Sequence, residues 1–345
     1  GYMRSYMTKY IKRHLGYFFF ITQNCNLDCK YCWQKASQKK ELSTEEWINI
    51  FKNIPRFSFI CFNGGEPLLH PGLKNMIKFL YHRNPCTINT NGSLMTKNFI
   101  EHIIKYDVKN ISISLDGFPE VHDHFRNKKG LFDQIVKNIN CLNELKKLFK
   151  KIKPKLTIKT VFTNESLPRI KEFYSFCNEQ LKADCLNISL MKTTTHAQFD
   201  FCTYNSLQQI SRIESPSCFE YDNIEKISET FENLLTFSKK QHCNVVYYPK
   251  MKNKYEIEYL LKNNGKNTFR ECYFPWSAIT ILPDGNIIPC LSLKLANIRD
   301  LDYDIKKIHT IQNYKNFLNW RKEHNKNHNS DSMCNMCCFS KLKKF

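Results

Sequence analysis

Glycine is scarce, with ten residues in 345. That scarcity excludes a collagen-like or linker-like chain, and it means each glycine that remains needs a local reason. No apolar run approaches the roughly 18 residues that cross a bilayer, so no membrane partner is expected. The N-terminal "RSYMTKYIKRHLGYFFFI" does set a basic stretch before apolar residues. Its apolar part is only about six residues, below the roughly 7–15 of a signal-peptide core, and no A-x-A site follows. The expectation is a cytoplasmic protein with reduced thiols. No P-loop, Ser-His-Asp set, zinc finger, RNA-recognition signature or long-period repeat is present. Acidic residues are also in deficit, 32 against 52 Lys and Arg, for a formal charge of +20. The excess is spread along the chain except at "KKLFKKIKPK" (146–155) and the final "KLKKF", so specific nucleic-acid binding is not expected.

What the chain does have is alternation. Strand-like segments at 17–22, 57–62, 86–90, 110–115, 155–162 and 185–191 are each followed, except the last, by a helix-like stretch. "STEEWINIFKNI" carries the start signal of a helix, an N-cap Ser43 with acidic residues in the first turn. Six βα units predict an α/β fold, a parallel sheet wrapped by helices and closed or half closed into a barrel. Functional groups are then expected on the loops at the strands' C-terminal ends. The pattern lapses near 193–223, a candidate substrate-covering connection, and a helix is expected at 224–242. "WSAITILPDGNIIPC" reads as a β-hairpin turned by Pro-Asp-Gly. The expected division is 1–16 as an extension, 17–192 as the core, 193–243 as a linker with a helix, and 244–345 as a smaller C-terminal module.

Sixteen cysteines in a chain expected to keep reduced thiols point to metal chemistry rather than disulfides. Cys25, Cys29 and Cys32 form C-x3-C-x2-C on the loop after the first strand. Structural zinc sites usually want four ligands, whereas a 4Fe-4S cube held by three cysteines keeps one iron open to a cofactor. "FNGGEP" (62–67) follows the second strand, and an adjacent glycine pair there marks backbone that must come close to a ligand. Glu66 then offers a carboxylate to a cation.

These two motifs resemble the hallmarks of the radical S-adenosylmethionine (radical SAM) superfamily. The resemblance implies a partial (β/α)6 radical SAM barrel in which Cys25, Cys29 and Cys32 bind the cluster. It also implies that Tyr31 precedes the last cysteine as the expected aromatic residue, and that Gly64, Gly65 and Glu66 receive the methionyl amino group. "NTNGSL" (89–94), which contains Asn91, and "ISLDGF" (113–118) look like the family's later strand-end motifs. By that resemblance Ser114 and Arg126 contact ribose or carboxylate, and Ile188 or Leu190 flanks the adenine.

Cys272, Cys290, Cys334 and Cys337 fall as C-x12-G-x4-C followed later by C-x2-C. By spacing alone, four thiolates from a hairpin and a C-terminal pair could ligate either an iron-sulfur cube or a zinc ion. The spacing resembles the SPASM/twitch extension of radical SAM enzymes, and since few residues follow Cys337 the shorter twitch-type domain with one auxiliary 4Fe-4S cluster is expected. Cys338 is left over. Cys61, Cys86, Cys141, Cys177 and Cys185 read as small core residues, while Cys202, Cys218 and Cys243 are open to a thiol role. The resemblance implies two 4Fe-4S clusters and S-adenosyl-L-methionine as cofactors, with a flavodoxin or ferredoxin as electron donor. The expected activity is a radical oxidoreductase or maturase that oxidises, crosslinks or epimerises a peptide or protein. A small-molecule dehydrogenase or epimerase, or a non-catalytic metal scaffold, is the alternative.

Overall fold

The computed structural model describes residues 14–32, 40–191, 202–203, 220–262, 270–290, 293–327 and 341–342. Its centre is a ten-stranded sheet. Strands β1 (Gly16–Phe20), β2 (Phe59–Asn63), β3 (Cys86–Thr90), β4 (Asn110–Ser114), β5 (Lys155–Phe162) and β6 (Cys185–Leu190) lie side by side in sequence order, all parallel. All six match the expected segments to within two residues at each end. Helices at Thr44–Asn53, Leu73–Leu80, Lys97–Lys105, Pro119–Arg126, Leu131–Leu148 and Ile170–Ser175 fill the crossovers. Ser43 caps the first of these in a reciprocal capping box with Glu46.

Side chains alternate across the sheet. Phe19 meets Trp47 and Phe51, Phe51 meets Phe62, and Phe162 meets Phe231, so one face is the helix-covered core. Register puts Ile60, Ile88, Ile111, Ile158 and Leu186 on that same face, each fully buried. Burying each such side chain contributes about 1.5–3 kcal/mol, so the alternation fixes which residues face inward. The opposite, open face carries Phe18, Asn63, Asn89, Ser114, Lys159, Asn187 and Ser189, none of them fully buried.

The sheet continues past the six units on both sides. After a two-residue strand β7 (Cys202–Thr203), the helix Ile224–Ser238 leads to β8 (Asn244–Tyr248), which pairs parallel with β6. This is a seventh parallel βα step, drawn from both the linker and the C-terminal module of the expected division. Beyond the helix Lys254–Lys262 and β9 (Arg270–Glu271), β10 (Ala278–Ile281) pairs parallel with β1. It turns through Gly285, at φ 87°, into the antiparallel β11 (Asn286–Ile288), which is the expected hairpin. Strand β12 (Leu293–Lys294) pairs with β7, and β13 (Ala296–Asn297) with β11. The helix Gln312–Asn327 and β14 (Lys341–Leu342), paired with β9, complete the described chain. Among the described residues no helix is long and apolar enough to cross a membrane.

Candidate active site

The cysteine loop and the Gly-Gly-Glu segment are joined backbone to backbone. Ile21 N–H donates to Asn63 O at 2.9 Å, Gly65 N–H to Thr22 O at 2.9 Å, and Glu66 N–H to Asn24 O at 2.8 Å. A Cβ on Gly64 would lie 2.6 Å from Thr22 O, and one on Gly65 2.5 Å from Gln23 O and nearer still to Asn24 O. The glycine pair is therefore needed first because the cysteine loop presses on it. The close approach read from the sequence is real, but the nearest neighbour is the chain itself.

Glu66 is fully buried and its carboxylate brackets the next loop. It accepts from Thr90 Oγ1 (2.7 Å), Asn91 N–H (2.7 Å) and Leu68 N–H (3.0 Å). Burial pushes its pKa up, against the pull of these three donors. Of about four acceptor positions on a carboxylate, one is left for a cation. Asn91 passes the bracket on to the cysteine loop: its Nδ2 donates to Asn26 Oδ1 at 2.9 Å, and Asn26 Nδ2 donates to Ser93 Oγ at 2.9 Å.

On the other side the loop is held by Asp116. This carboxylate, 1% exposed, accepts from Arg126 Nε at 2.7 Å, from Val161 N–H at 2.9 Å and from the Tyr31 hydroxyl. Burial alone would raise the Asp116 pKa, but the adjacent Arg126 guanidinium holds it below the usual carboxylate range. Arg126 also lies over the Tyr31 ring, 5.2 Å from its centroid, and its Nη1 donates to Cys29 Sγ at 3.8 Å. Lys30 N–H caps the same helix end by donating to Phe125 O. His122 accepts from Asp116 N–H through Nδ1, and burial drives its pKa down to about 4, so the ring stays neutral.

Each site residue expected from the sequence in this half of the chain can now be placed. Cys25 and Cys32 are exposed and Cys29 is half-buried, all on the loop after β1. Tyr31 lies on that loop, and Gly64, Gly65, Glu66, Asn91 and Arg126 adjoin it or its bracketing residues. Ser114 ends β4 on the open face, two residues before Asp116. Ile188 is fully buried on the helix-covered face, while its neighbours Asn187 and Ser189 alternate to the open face. Asp116, Asn26, Ser93 and His122 were not singled out from the sequence. Asp116 and Ser93 lie inside motifs that were quoted, and Asn26 lies between two of the cysteines.

Among the described residues, no three His, Cys, Asp or Glu side chains gather closely enough to hold one metal ion. Three thiols spread along a loop suit a cluster, whose irons are separate anchor points, better than a single tetrahedral ion. Burial pushes the Cys29 thiol pKa up, and the Arg126 guanidinium beside it offsets part of that rise.

Residues 19–177 match the radical SAM superfamily, and residues 272–338 match the SPASM iron-sulfur cluster-binding domain. The chain carries a radical SAM domain and a SPASM domain. Such domains bind S-adenosylmethionine and iron-sulfur clusters. The chain is 28% identical over 293 residues to an AdoMet-dependent heme synthase of Oleidesulfovibrio alaskensis, covering 81% of this chain and 71% of that protein. It is 27% identical over 303 residues to a cysteine-type anaerobic sulfatase-maturating enzyme of Clostridium novyi, covering 78% and 71%. In fold it resembles Streptococcus suis SuiB bound to S-adenosylmethionine, with a TM-score of 0.66 at 16% identity, covering 89% of this chain and 68% of SuiB.

Within the SPASM domain, Cys272 and Cys290 are both half-buried. Cys272 is fixed by Asn325 of the Gln312–Asn327 helix, whose side chain accepts from Cys272 N–H at 3.1 Å and donates to Cys272 O at 3.0 Å. Cys334, Cys337 and Cys338 lie outside the described residues, as does Cys218.

Proposed function

We propose that this radical SAM protein modifies a peptide or protein by removing a hydrogen atom from an unactivated carbon of it. When bound, a cluster and S-adenosylmethionine would supply the one-electron reductive cleavage from which the hydrogen-atom acceptor comes. The chain's own part is positional. Cys25, Cys29 and Cys32 would hold the cluster, and Glu66 and Asn91 would face the methionyl end. Asp116 and Arg126 keep the loop in register, and the open face of the sheet receives the substrate.

The observation that carries the peptide reading is similarity to a cysteine-type anaerobic sulfatase-maturating enzyme over 78% of this chain. Similarity to a heme synthase over a comparable length favours a second reading, a carboxylate-bearing tetrapyrrole substrate. We take the protein to act in the cytoplasm with one auxiliary 4Fe-4S cluster held by Cys272, Cys290, Cys334 and Cys337, and with a flavodoxin or ferredoxin as donor.

The two readings separate in one experiment. The anaerobically reconstituted, reduced protein is given S-adenosylmethionine and extract of its native host grown on deuterated medium. 5′-Deoxyadenosine is then analysed by mass spectrometry. Deuterium transfer that disappears when the extract is first digested with protease supports the peptide reading. Transfer that survives digestion overturns it in favour of a small molecule.

A further inference from the structure

The open face of the sheet carries an ordered polar layer. Lys159 on β5 is flanked in register by Ser114 of β4 and Asn187 of β6. Its Nζ reaches across β4 to donate to Asn89 Oδ1 at 2.9 Å. Asn89 is itself held, its Nδ2 donating to Asn63 Oδ1 and, at 3.4 Å, to Cys61 Sγ. The ammonium is thus aimed by a chain of side chains that runs back to β2. Beside it, Asn187 Oδ1 is buried and has no hydrogen-bond partner. A buried acceptor left without a donor is costly, so Asn187 Oδ1 has an unmet demand that a bound donor would satisfy.

The two atoms make opposite demands. An ammonium only donates, and Asn187 Oδ1 only accepts. A ligand that meets both must offer an acceptor and a donor side by side. A carboxylate offers no donor and would leave Asn187 Oδ1 unmet. One residue of an extended peptide offers both, because its N–H and C=O point to the same side of the strand.

We propose that Lys159 and Asn187, with Asn89 as the residue that positions Lys159, form a substrate subsite that reads the backbone C=O and N–H of one peptide residue. The carbonyl accepts from Lys159 Nζ and the N–H donates to Asn187 Oδ1. The subsite rests on the peptide reading above and deepens it, since the same pair of atoms disfavours a substrate anchored there by a carboxylate.

The test uses the reconstituted full chain and the deuterated host extract as probe. Lys159→Met and Asn187→Leu should each lower deuterium transfer into 5′-deoxyadenosine about 10- to 100-fold at limiting extract, the cost of one lost charged or buried hydrogen bond. Higher extract concentrations should recover part of that loss. Lys159→Arg and Asn187→Asp, which keep a donor and an acceptor, should transfer more than Lys159→Met and Asn187→Leu do. Iron content and melting temperature serve as folding controls. Asn187→Leu should raise the melting temperature of the substrate-free protein, because it removes an orphaned acceptor; a purely structural asparagine would lower it. If wild-type transfer is protease-sensitive and variants that keep their iron transfer as fast as wild type, the subsite is overturned while the peptide reading stands. If wild-type transfer survives protease, the reading falls and the subsite falls with it.

Discussion

Asp116→Asn is the sharpest probe of what holds the cysteine loop. The substitution keeps the volume and an oxygen for Val161 N–H, but it takes the charge away from Arg126 and weakens the acceptor for Tyr31. Arg126 is 9% exposed, so water cannot screen the guanidinium that is left behind. Removing one partner of a buried ion pair costs about 3–5 kcal/mol, because the survivor stays desolvated and unmatched. The retained amide oxygen offsets some of this, so we expect about 3 kcal/mol. Urea unfolding of the reconstituted protein under anaerobic conditions measures it, together with Arg126→Met and the double variant. Each single change strands one charge and the double change strands none, so the double should cost at least about 2 kcal/mol less than the sum of the singles. A coupling within about 0.5 kcal/mol of zero would refute the claim that this pair secures the loop.

Three further outcomes follow from the same geometry. Gly65→Ala forces a Cβ against the carbonyls of Gln23 and Asn24, which are backbone and cannot swing aside. It should cost about 2 kcal/mol or more and lower the iron content, whereas Gly130→Ala, with nothing within 4 Å and φ +76°, should cost only about 1 kcal/mol and leave iron unchanged. His14 is 3% exposed and hydrogen-bonds Tyr314 and Pro275 O; burial, then the neighbouring His309, lowers its pKa to about 4. Its folded value lies below the unfolded 6.5, so its contribution is intact above pH 6.5 and is lost as pH falls toward 4. The drop from this group should reach about 3 kcal/mol, read by urea unfolding, and because His122 is also lowered to about 4, His14→Gln should remove about half of the two histidines' combined loss. Cys272→Ser with Cys290→Ser should reduce bound iron from about eight to about four per chain and leave the cluster of Cys25, Cys29 and Cys32 in place; an unchanged count would remove these two residues from the ligand set.

The sheet was legible because its signal is local. Six buried strands announce themselves as short apolar or alternating runs, and "LPDGN" announces a hairpin. Neither signal says which strands pair across long stretches of sequence. β8 lies beside β6 and β10 beside β1, and those pairings are decided by which edges of the sheet remain open. The cysteine spacing and the glycine pair were equally plain, since such spacing is uncommon. Asp116, Asn26 and Ser93 were harder to see because an Asp or Asn in a loop is ordinary until its partners are known. Ile188 illustrates the opposite limit. An apolar residue on a strand satisfies a core position and an adenine contact equally well in sequence, and only register with Thr160 fixes its face.

The pairing of β10 with β1 has a chemical consequence. β1 delivers Cys25, Cys29 and Cys32 from its C-terminal end. Cys272 precedes β10, and Cys290 follows β11 as it runs back antiparallel, so both stand toward the opposite end of the same strand pair. The five residues of β1 alone span about 13 Å. The two sets of thiols are therefore tied to one rigid element yet kept at its two ends, beside the open face that carries Lys159 and Asn187. That separation comes from hydrogen-bonded strand register rather than from a flexible hinge, so substitutions along β1 and β10 should alter it only by breaking the pairing.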